Sequence, residues 1–385
     1  MIDPKLTEHI AGAIADVRAG KMIILVDDED RENEGDLTMA AQFVTPDAIN
    51  FMATFGRGLI CVALDEEQVE RLKLPMMNSH GGLGPPLGTA FTVSIEARRG
   101  VTTGISASDR AHTIRVAVSP KASANDIVTP GHVFPLRARK GGVLVRTGQT
   151  EGSVDLARLA DLTPAGVICE IMNDDGTMAR MPDLERFAAK HNLRILTIAD
   201  LIRYRLLTER LVRRLAEAPI VLDQTATEWR AIAYGTTIDE RQFFALIKGD
   251  LSSRGPPPLC RVHTGSTIGD NFASTARDGG PHLREAIAQI EAAGCGALVY
   301  IAPRGDMRSE LEAWRAQRDS PSSSSSSIPP LREFGLGAQV LVDLGLHEIR
   351  LLTDNPRKIA GIHGFGLQVV ERLPLHSIGS SGEQQ

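Results

Sequence analysis

The sequence predicts a protein of the α/β (α+β) class: an N-terminal domain with a mixed sheet and surrounding helices, plus a second, smaller α/β domain. Short apolar runs typical of buried strands alternate with segments whose apolar residues recur at helical spacing. The chain has 385 residues, a length that usually folds as about two domains. Together the alternation and the length favour two units, each with its own core.

The elements of the first part are predicted from local signals. A helix is expected between Asp3-Pro4 and Gly20, because Pro at the first helical position and Gly after the last one are typical helix boundaries. Its apolar face is formed by Leu6, Ile10, Ile14 and Val17. Further helices are predicted from Thr45-Pro46-Asp47, after Asp65, from Ser106, over 153–160, over 182–191, and to about Leu207. Strands are predicted at 22–26, 59–64, 90–95, 143–145, 166–171 and 194–198, and a turn at 129–136.

The second part is predicted to begin near Ile220, after a helical or extended connector at 208–216. Strands are expected at 228–233 and 297–301, and helices at 240–248 and 281–293. Six consecutive serines, Ser322 to Ser327, predict a flexible loop because they offer no apolar side chain to a core. The tail after Leu375 is expected to be disordered.

Composition argues against several classes of function. Net charge is −6 and aromatic residues make up 4%, which disfavours a nucleic-acid interface. The sequence shows no apolar stretch of the roughly 18 residues that span a bilayer and no signal-peptide pattern. The cysteines are far apart: Cys61, Cys169, Cys260 and Cys295. We therefore expect a cytoplasmic protein with reduced thiols and no membrane or nucleic-acid partner.

An acidic stretch, Asp27 to Asp36, follows the first predicted strand. Seven of its ten residues are carboxylates, and Arg31 lies among them. A strand that ends in carboxylates places oxygen ligands at the edge of a core, where a hard cation such as Mg²⁺ could bind. The alternative is a solvated acidic loop without a ligand.

Two other features could form a site with the acidic stretch. A predicted strand-to-helix turn contains Arg146, Thr147, Gly148, Gln149 and Thr150. Backbone N–H groups, a Gly, a hydroxyl and an Arg can together hold a phosphate, although such turns are also common without one. His132 in a Gly/Pro turn and Glu170 in an apolar strand are candidates for proton transfer, and the alternatives are a structural His and a Glu paired with an Arg.

Four motifs in order resemble those of the 3,4-dihydroxy-2-butanone 4-phosphate synthase family of riboflavin biosynthesis. They are Asp27–Asp36, Gly104–Arg110, Thr129–Leu136 and Arg146–Glu151. The resemblance covers residues 1 to about 205 and implies a domain at 1–207. It implies conversion of D-ribulose 5-phosphate to L-3,4-dihydroxy-2-butanone 4-phosphate and formate. It also implies Mg²⁺, with Mn²⁺ as an alternative, and a homodimer with active sites near the subunit interface.

The resemblance assigns roles residue by residue. Glu32 would ligate Mg²⁺, and His132 and Glu170 occupy the positions that the family requires for catalysis. The expected substrate-binding residues are Arg31, Glu32, Asp36, Arg146, Thr147, Gly148, Gln149, Thr150 and Glu170. The family's second metal ligand is a His, and this chain has Gln149 there. Because Mg²⁺ accepts amide oxygens, we expect Gln149 to replace that ligand and activity to survive; the alternative is a first domain that has lost catalysis.

The second half resembles GTP cyclohydrolase II over 218–376, with matches at Arg261–His263, Gly269-Asp270, Phe272, Gly335–Gln339 and Leu351–Lys358. The zinc cysteines of that family are replaced by Ser266, Arg277 and Gly279, and a catalytic Asp by Pro330. Arg332, Thr353 and Lys358 are retained. We expect no zinc and a degenerate, non-catalytic domain. The alternatives are a bifunctional enzyme that also hydrolyses GTP, and a regulatory or oligomerisation module.

Overall fold

A computed structural model describes residues 4–28, 31–78, 88–253, 255–272, 279–303, 307–319, 331–354 and 365–375. The chain divides into two compact units, Pro4–Tyr204 and Arg205–Gln385. Each unit contains a seven-stranded sheet and helices, so the predicted α/β class is confirmed. Asp3, the serine run and the tail after Leu375 lie outside the described residues. No helix in the described parts is long and apolar enough to cross a membrane.

The first unit is a mixed sheet with helices. Its strands are β1 (Ile23–Val26), β2 (Gly35–Ala40), β3 (Cys61–Leu64), β4 (Ile95–Ala97), β5 (Ile127–Arg137), β6 (Ala165–Glu170) and β7 (Ile195–Thr197). Its helices are α1 (Pro4–Arg18), α2 (Pro46–Phe51), α3 (Glu66–Arg71), α4 (Ala107–Val118), α5 (Gln149–Leu159), α6 (Met181–His191) and α7 (Ile198–Thr208), the last of which contains the unit boundary. The strand order is β4-β5-β3-β6-β2-β1-β7, with β1/β7 and β3/β5 parallel.

Local capping explains where several helices begin. The Thr45 hydroxyl accepts a hydrogen bond from the Ala48 N–H (3.1 Å), and Asp65 accepts one from the Gln68 N–H (2.9 Å). Ser106 caps α4 in the same way. These side chains satisfy N–H groups that have no partner within the helix, which is why the sequence alone located the three starts.

Besides the strand expected at 90–95, of which only Ile95 lies in a strand (β4), three predictions in this unit are wrong. Residues 129–136, predicted as a turn, lie within β5, where pairing with β3 and β4 outweighs the Gly and Pro signals; the Thr129–Pro130 peptide is cis. The predicted strand at 143–145 is a 3₁₀ turn (Gly142–Leu144) that follows two glycines at positive φ. Helix α5 begins at Gln149, before the predicted start at Ser153. The first of these changes places His132 on the sheet.

Strand registers bring the candidate residues to one end of the sheet. Asp36 pairs with Glu170, and Val26 pairs with Gly35. Cys61 at the start of β3 pairs with both Ile168 and Phe134. Since β6 runs antiparallel to β3 while β5 runs parallel to it, Glu170 and His132 both lie beyond the Cys61 end. The loop after β1, the start of β2, the end of β6 and His132 therefore share this end of the sheet.

The second unit has a sheet of order β14-β13-β11-β12-β10-β9-β8. Its strands are β8 (Val212–Leu222), β9 (Thr227–Thr236), β10 (Gln242–Lys248), β11 (Leu259–Thr264), β12 (Gly296–Ile301), β13 (Glu348–Leu352) and β14 (Gln368–Leu373). Its helices are α8 (Gly279–Ala293), α9 (Met307–Asp319) and α10 (Leu331–Asp343). Strands β8 to β10 and β12 are antiparallel neighbours, whereas β11 to β14 pair in parallel.

In the second unit one predicted helix is wrong, and the connector adopts the extended one of its two predicted forms. The helix expected at 240–248 is strand β10, in which Phe243, Ala245 and Ile247 are buried at every second position. That period of two is the strand pattern. Part of the connector expected at 208–216 belongs to β8, which begins at Val212. This strand therefore starts before Ile220, the predicted start of the second unit, and before residue 218, the predicted start of the domain. Pairing with β9 over its full length makes this segment part of the sheet.

A methyl group at Gly131 is expected to disrupt the β4–β5 contact. A Cβ there would overlap the backbone carbonyl of Ile95, which cannot move away as a side chain can. Gly131→Ala should lower the free energy of unfolding in urea by about 2 kcal/mol or more. The matched control is Gly12→Ala in α1, whose Cβ would meet only the flexible end of Arg194; it should change stability by less than about 1 kcal/mol. Equal losses in the two variants would contradict this account of the contact.

Candidate functional site

The loop between β1 and β2 is held together by one buried carboxylate. Its described residues, Asp27–Asp28 and Arg31–Glu34, are here called the acidic hairpin. Asp27 Oδ1 accepts a hydrogen bond from the Glu34 N–H (2.8 Å), and Oδ2 accepts one from the Glu32 N–H (3.2 Å). The side chain of Asp27 is fully buried. Asp27 therefore fixes the backbone of the hairpin, and the other acids are presented around it.

Arg31 lies at the centre of this cluster. Its Nη1 donates to Asp27 Oδ2 (2.6 Å), to Glu32 Oε2 (2.7 Å) and to Gln149 Oε1 (3.0 Å). Gln149 also donates from Nε2 to the Glu34 carbonyl (3.3 Å). The structure thus brings together Glu32 and Gln149, the two residues predicted as metal ligands, and both contact the same guanidinium nitrogen.

Asp36 and Glu170 form a second pair of acids beside the hairpin. Burial, and then the charge of Glu170, raises the pKa of Asp36 well above its usual range. Burial also raises the pKa of Glu170, whose Oε2 accepts a hydrogen bond from the Leu59 N–H (2.8 Å). Asp36 Oδ1 is buried and has no hydrogen-bond partner among the described residues. A cation or a proton at this position would relieve both the desolvation and the repulsion.

The start of α5 carries the features expected of an anion site. Gly148 is the N-cap, with no side-chain cap, and a Cβ there would crowd Arg146 Nη1 and lie 3.2 Å from Arg31 Nη2. Two guanidinium groups therefore flank the first turn of the helix, whose N–H groups favour anions. Arg146 is anchored by Glu151 Oε2 (2.7 Å) and the Thr89 hydroxyl (2.9 Å). Thr150 is buried in the first turn, and Thr147 is half-buried before it.

His132 is held by residues that the sequence analysis did not single out. Its Nδ1 lies 2.8 Å from Glu96 Oε2, and Glu96 Oε1 accepts a hydrogen bond from the Thr113 hydroxyl (2.9 Å). Glu96 is a buried acid in a strand. It could have been singled out for the same reason as Glu170, because a buried carboxylate needs a partner or a function. Within the described residues, no hydrogen bond joins His132 to the acidic hairpin or to α5.

The donors at this end of the sheet suit a hard divalent cation. They are carboxylate and amide oxygens, the ligand type that Mg²⁺ prefers, and Asp36 Oδ1 is an oxygen without a partner among the described residues. No three His, Cys, Asp or Glu side chains in the described ranges already converge as a metal site. Mg²⁺ usually takes one or two protein carboxylates and completes its shell with substrate and water.

The second unit has a polar network after β11. Ser266 Oγ donates to Glu310 Oε1 (2.7 Å) and accepts a hydrogen bond from the Gly269 N–H (3.0 Å). Asp270 contacts His263 Nε2 (3.0 Å) and accepts a hydrogen bond from the Tyr300 hydroxyl (3.1 Å). Ser266 thus has a hydrogen-bonding role here. Gly279 begins α8, Thr353 is buried, and Arg277, Pro330, Lys358 and the side chain of Arg332 are outside what the structure describes.

Known families match both parts of the chain. Residues 11–204 match 3,4-dihydroxy-2-butanone 4-phosphate synthase, and residues 213–374 match GTP cyclohydrolase II. The riboflavin biosynthesis protein RibBA of Aquifex aeolicus (strain VF5) is 52% identical over 380 residues, covering 94% of this chain and 91% of that protein.

Solved structures are also similar. The crystal structure of RibBX, a two-domain 3,4-dihydroxy-2-butanone 4-phosphate synthase from A. baumannii, is 43% identical with a TM-score of 0.77, covering 94% of this chain and 98% of that one. A 3,4-dihydroxy-2-butanone 4-phosphate synthase in complex with two magnesium ions is 40% identical with a TM-score of 0.49, covering 52% of this chain and 97% of that one.

Removing the charge of Asp36 is expected to stabilise the protein above acidic pH. Because the folded-state pKa of Asp36 is raised, the folded state holds its proton longer than the unfolded chain, and stability falls as pH rises between the two pKa values. Asp36→Asn should raise the free energy of unfolding at about pH 8 by about 1.4 kcal/mol per unit of raised pKa, and the gain should shrink toward zero near about pH 4. Urea unfolding without added divalent cations at several pH values measures this.

The matched control is Asp175→Asn. Asp175 accepts a hydrogen bond from the Thr177 hydroxyl, which lowers the pKa of this exposed carboxyl. Its removal should therefore give no gain in stability at alkaline pH. A gain of equal size in both variants would show that general charge repulsion, and not the buried site, causes the effect.

Proposed function

Since the chain belongs to the 3,4-dihydroxy-2-butanone 4-phosphate synthase family, with a domain of the GTP cyclohydrolase II family after it, we propose that it converts D-ribulose 5-phosphate to L-3,4-dihydroxy-2-butanone 4-phosphate and formate in riboflavin biosynthesis. The observation that carries the proposal is the contact of Glu32 and Gln149 through Arg31, beside the Asp36–Glu170 pair and the start of α5. The two-domain synthase RibBX, similar over nearly the whole chain, supports it.

Arg146 and the first turn of α5 would bind the phosphate of the sugar. The guanidinium of Arg146 is fixed by Glu151 and Thr89, so it is already oriented toward Gly148. Binding energy at the phosphate would position the reacting carbons at the acidic end of the sheet, where Asp36 would bind the sugar. Thr147 and Thr150 would contribute to the same phosphate-binding site.

Glu32 and Gln149 would hold Mg²⁺, with Mn²⁺ as an alternative. When bound, the ion would stabilise negative charge that develops on the substrate oxygens. Both residues offer oxygens, and the carboxylates around them attract a cation. The family resemblance supports Glu32 as a ligand more directly than Gln149, because the family has His at the position of Gln149.

Glu170 and His132 would move the protons. The reaction removes a proton next to a carbonyl and rearranges the carbon skeleton, so it needs groups that exchange protons near neutral pH. Burial raises the pKa of Glu170 toward that range. Glu96 orients the ring of His132 through Nδ1 and leaves Nε2 for the substrate. His132 is about half exposed, which suits a group that completes a site at a subunit interface.

We therefore propose that the protein is a homodimer. We also propose that it acts in the cytoplasm.

We further propose that the second domain is non-catalytic. Zinc in this family needs three thiolates, and Ser266 at one of their positions has a hydroxyl that bonds to Glu310. Burial raises the pKa of the Cys260 thiol to about 12, so Cys260 offers no ready substitute. The match of residues 213–374 to GTP cyclohydrolase II keeps the bifunctional enzyme as the second candidate. A regulatory or oligomerisation role is compatible with either.

The purified protein should release formate from D-ribulose 5-phosphate with Mg²⁺, and formate release should stop when EDTA removes the ion.

Glu170→Gln should lower kcat by about 100-fold or more, because the amide cannot carry the proton. Gln149→Ala should raise the Mg²⁺ concentration that gives half the maximal rate by about 10-fold. A formate dehydrogenase-coupled assay measures all three.

Asp175→Asn again serves as the control, since it removes an exposed carboxylate close in sequence to Glu170 without touching the site; its rate should equal that of wild type. If Gln149→Ala keeps both the wild-type rate and the wild-type Mg²⁺ dependence, Gln149 is not a ligand. No formate from the wild-type protein would exclude the proposed activity.

The same protein should contain no stoichiometric zinc and release no formate from GTP. The reason is that a hydroxyl cannot replace a thiolate on the ion. Elemental analysis by mass spectrometry and the formate assay with GTP measure the two quantities. One zinc per chain together with turnover of GTP would establish the bifunctional enzyme instead.

A further inference from the structure

The guanidinium of Arg31 engages the atoms that the proposed metal ion would need. Nη1 contacts Glu32 Oε2 (2.7 Å) and Gln149 Oε1 (3.0 Å), and Nη2 contacts Glu32 Oε1 (3.1 Å). Both oxygens of Glu32 are thus bonded to one cationic group, whose side chain is only 12% exposed. A divalent ion on Glu32 and Gln149 would compete with the guanidinium of Arg31, because both cations use the same oxygens.

Arg31 also borders the anion site. Its Nη2 lies 3.2 Å from the position of a Cβ on Gly148, the N-cap of α5, and Arg146 lies against the same position. The two arginines differ in their anchors. Arg146 is bonded to Glu151 and Thr89, away from the hairpin, whereas the hydrogen bonds of Arg31 go to the hairpin itself and to Gln149. An anion at Gly148 would therefore draw Arg31 away from Glu32, whereas the bonds of Arg146 to Glu151 and Thr89 do not involve Glu32.

We propose that Arg31 is an internal competitor for the metal ion: it occupies Glu32 and Gln149 in the free protein, and a phosphate at Gly148 releases these oxygens by binding the guanidinium. This inference deepens the proposed function and rests on it for the identity of the two ligands. Its consequence is a coupling between the sites. Phosphate must tighten cation binding, and by linkage the cation must tighten phosphate binding by the same factor. The free protein would then hold its metal weakly and bind it firmly only with a phosphorylated sugar.

Direct binding of Mn²⁺ tests the coupling without relying on turnover. Free Mn²⁺ is measured by electron paramagnetic resonance, with and without inorganic phosphate, for wild type, Arg31→Gln and Arg146→Gln. Arg31→Gln should bind Mn²⁺ about 10-fold more tightly than wild type in the absence of phosphate. Phosphate should tighten Mn²⁺ binding by a similar factor in wild type and by almost none in Arg31→Gln.

Arg146→Gln is the matched control. It removes one positive charge next to Gly148, as Arg31→Gln does, but the described hydrogen bonds of Arg146 go to Glu151 and Thr89 and not to Glu32 or Gln149. Its affinity for Mn²⁺ without phosphate should stay within about 2-fold of wild type, and phosphate should have less effect because its seat is damaged. Arg31→Met, checked together with Arg31→Gln by thermal unfolding, provides a second variant if the first does not fold.

Equal or weaker Mn²⁺ binding by Arg31→Gln would overturn the inference, as would an equal gain in Arg146→Gln, which would indicate general electrostatics. Formate release by the wild-type protein separates this failure from that of the proposed function. Formate with no gain in Arg31→Gln refutes the competitor role alone. The expected Mn²⁺ pattern without any formate from D-ribulose 5-phosphate refutes the proposed activity and leaves the coupling in place.

Discussion

The carboxylate of Asp27 is the interaction on which the candidate site depends. It accepts hydrogen bonds from two backbone N–H groups of the hairpin and from Arg31, and it is fully buried while doing so. A buried charge is tolerated only when it is paired and hydrogen-bonded, and Asp27 meets both conditions within its own loop. This one group therefore positions Glu32, Arg31 and the Glu34 carbonyl that Gln149 contacts.

Around that anchor, the first unit concentrates like charges at a cost in stability. Asp36 and Glu170 are neighbours on paired strands; burial raises the pKa of both, and the charge of Glu170 further raises the pKa of Asp36. A core optimised for stability would not place two acids there. Such unfavourable groups are expected where a ligand or a proton completes the structure.

The second unit combines a family match with a hydrogen-bond network at Ser266. Residues 213–374 match the GTP cyclohydrolase II family. After β11, the Ser266 hydroxyl donates to Glu310 and accepts a hydrogen bond from the Gly269 N–H, and these bonds stabilise the segment. A fold can persist after its chemistry changes, because packing and catalysis depend on different residues.

The sequence by itself determined the features that depend on near neighbours. Helix starts at Thr45, Asp65 and Ser106 followed from caps three residues away, and the acidic stretch and the apolar strand carrying Glu170 were evident from local composition. Tertiary structure decided what depends on distant pairing. It made 129–136 and 242–248 parts of strands, placed Glu96 against His132, and joined Arg31 to Gln149 across 118 positions. Such contacts leave no periodic or spacing signal in a single sequence, because each partner is set by strand register and helix packing elsewhere in the unit.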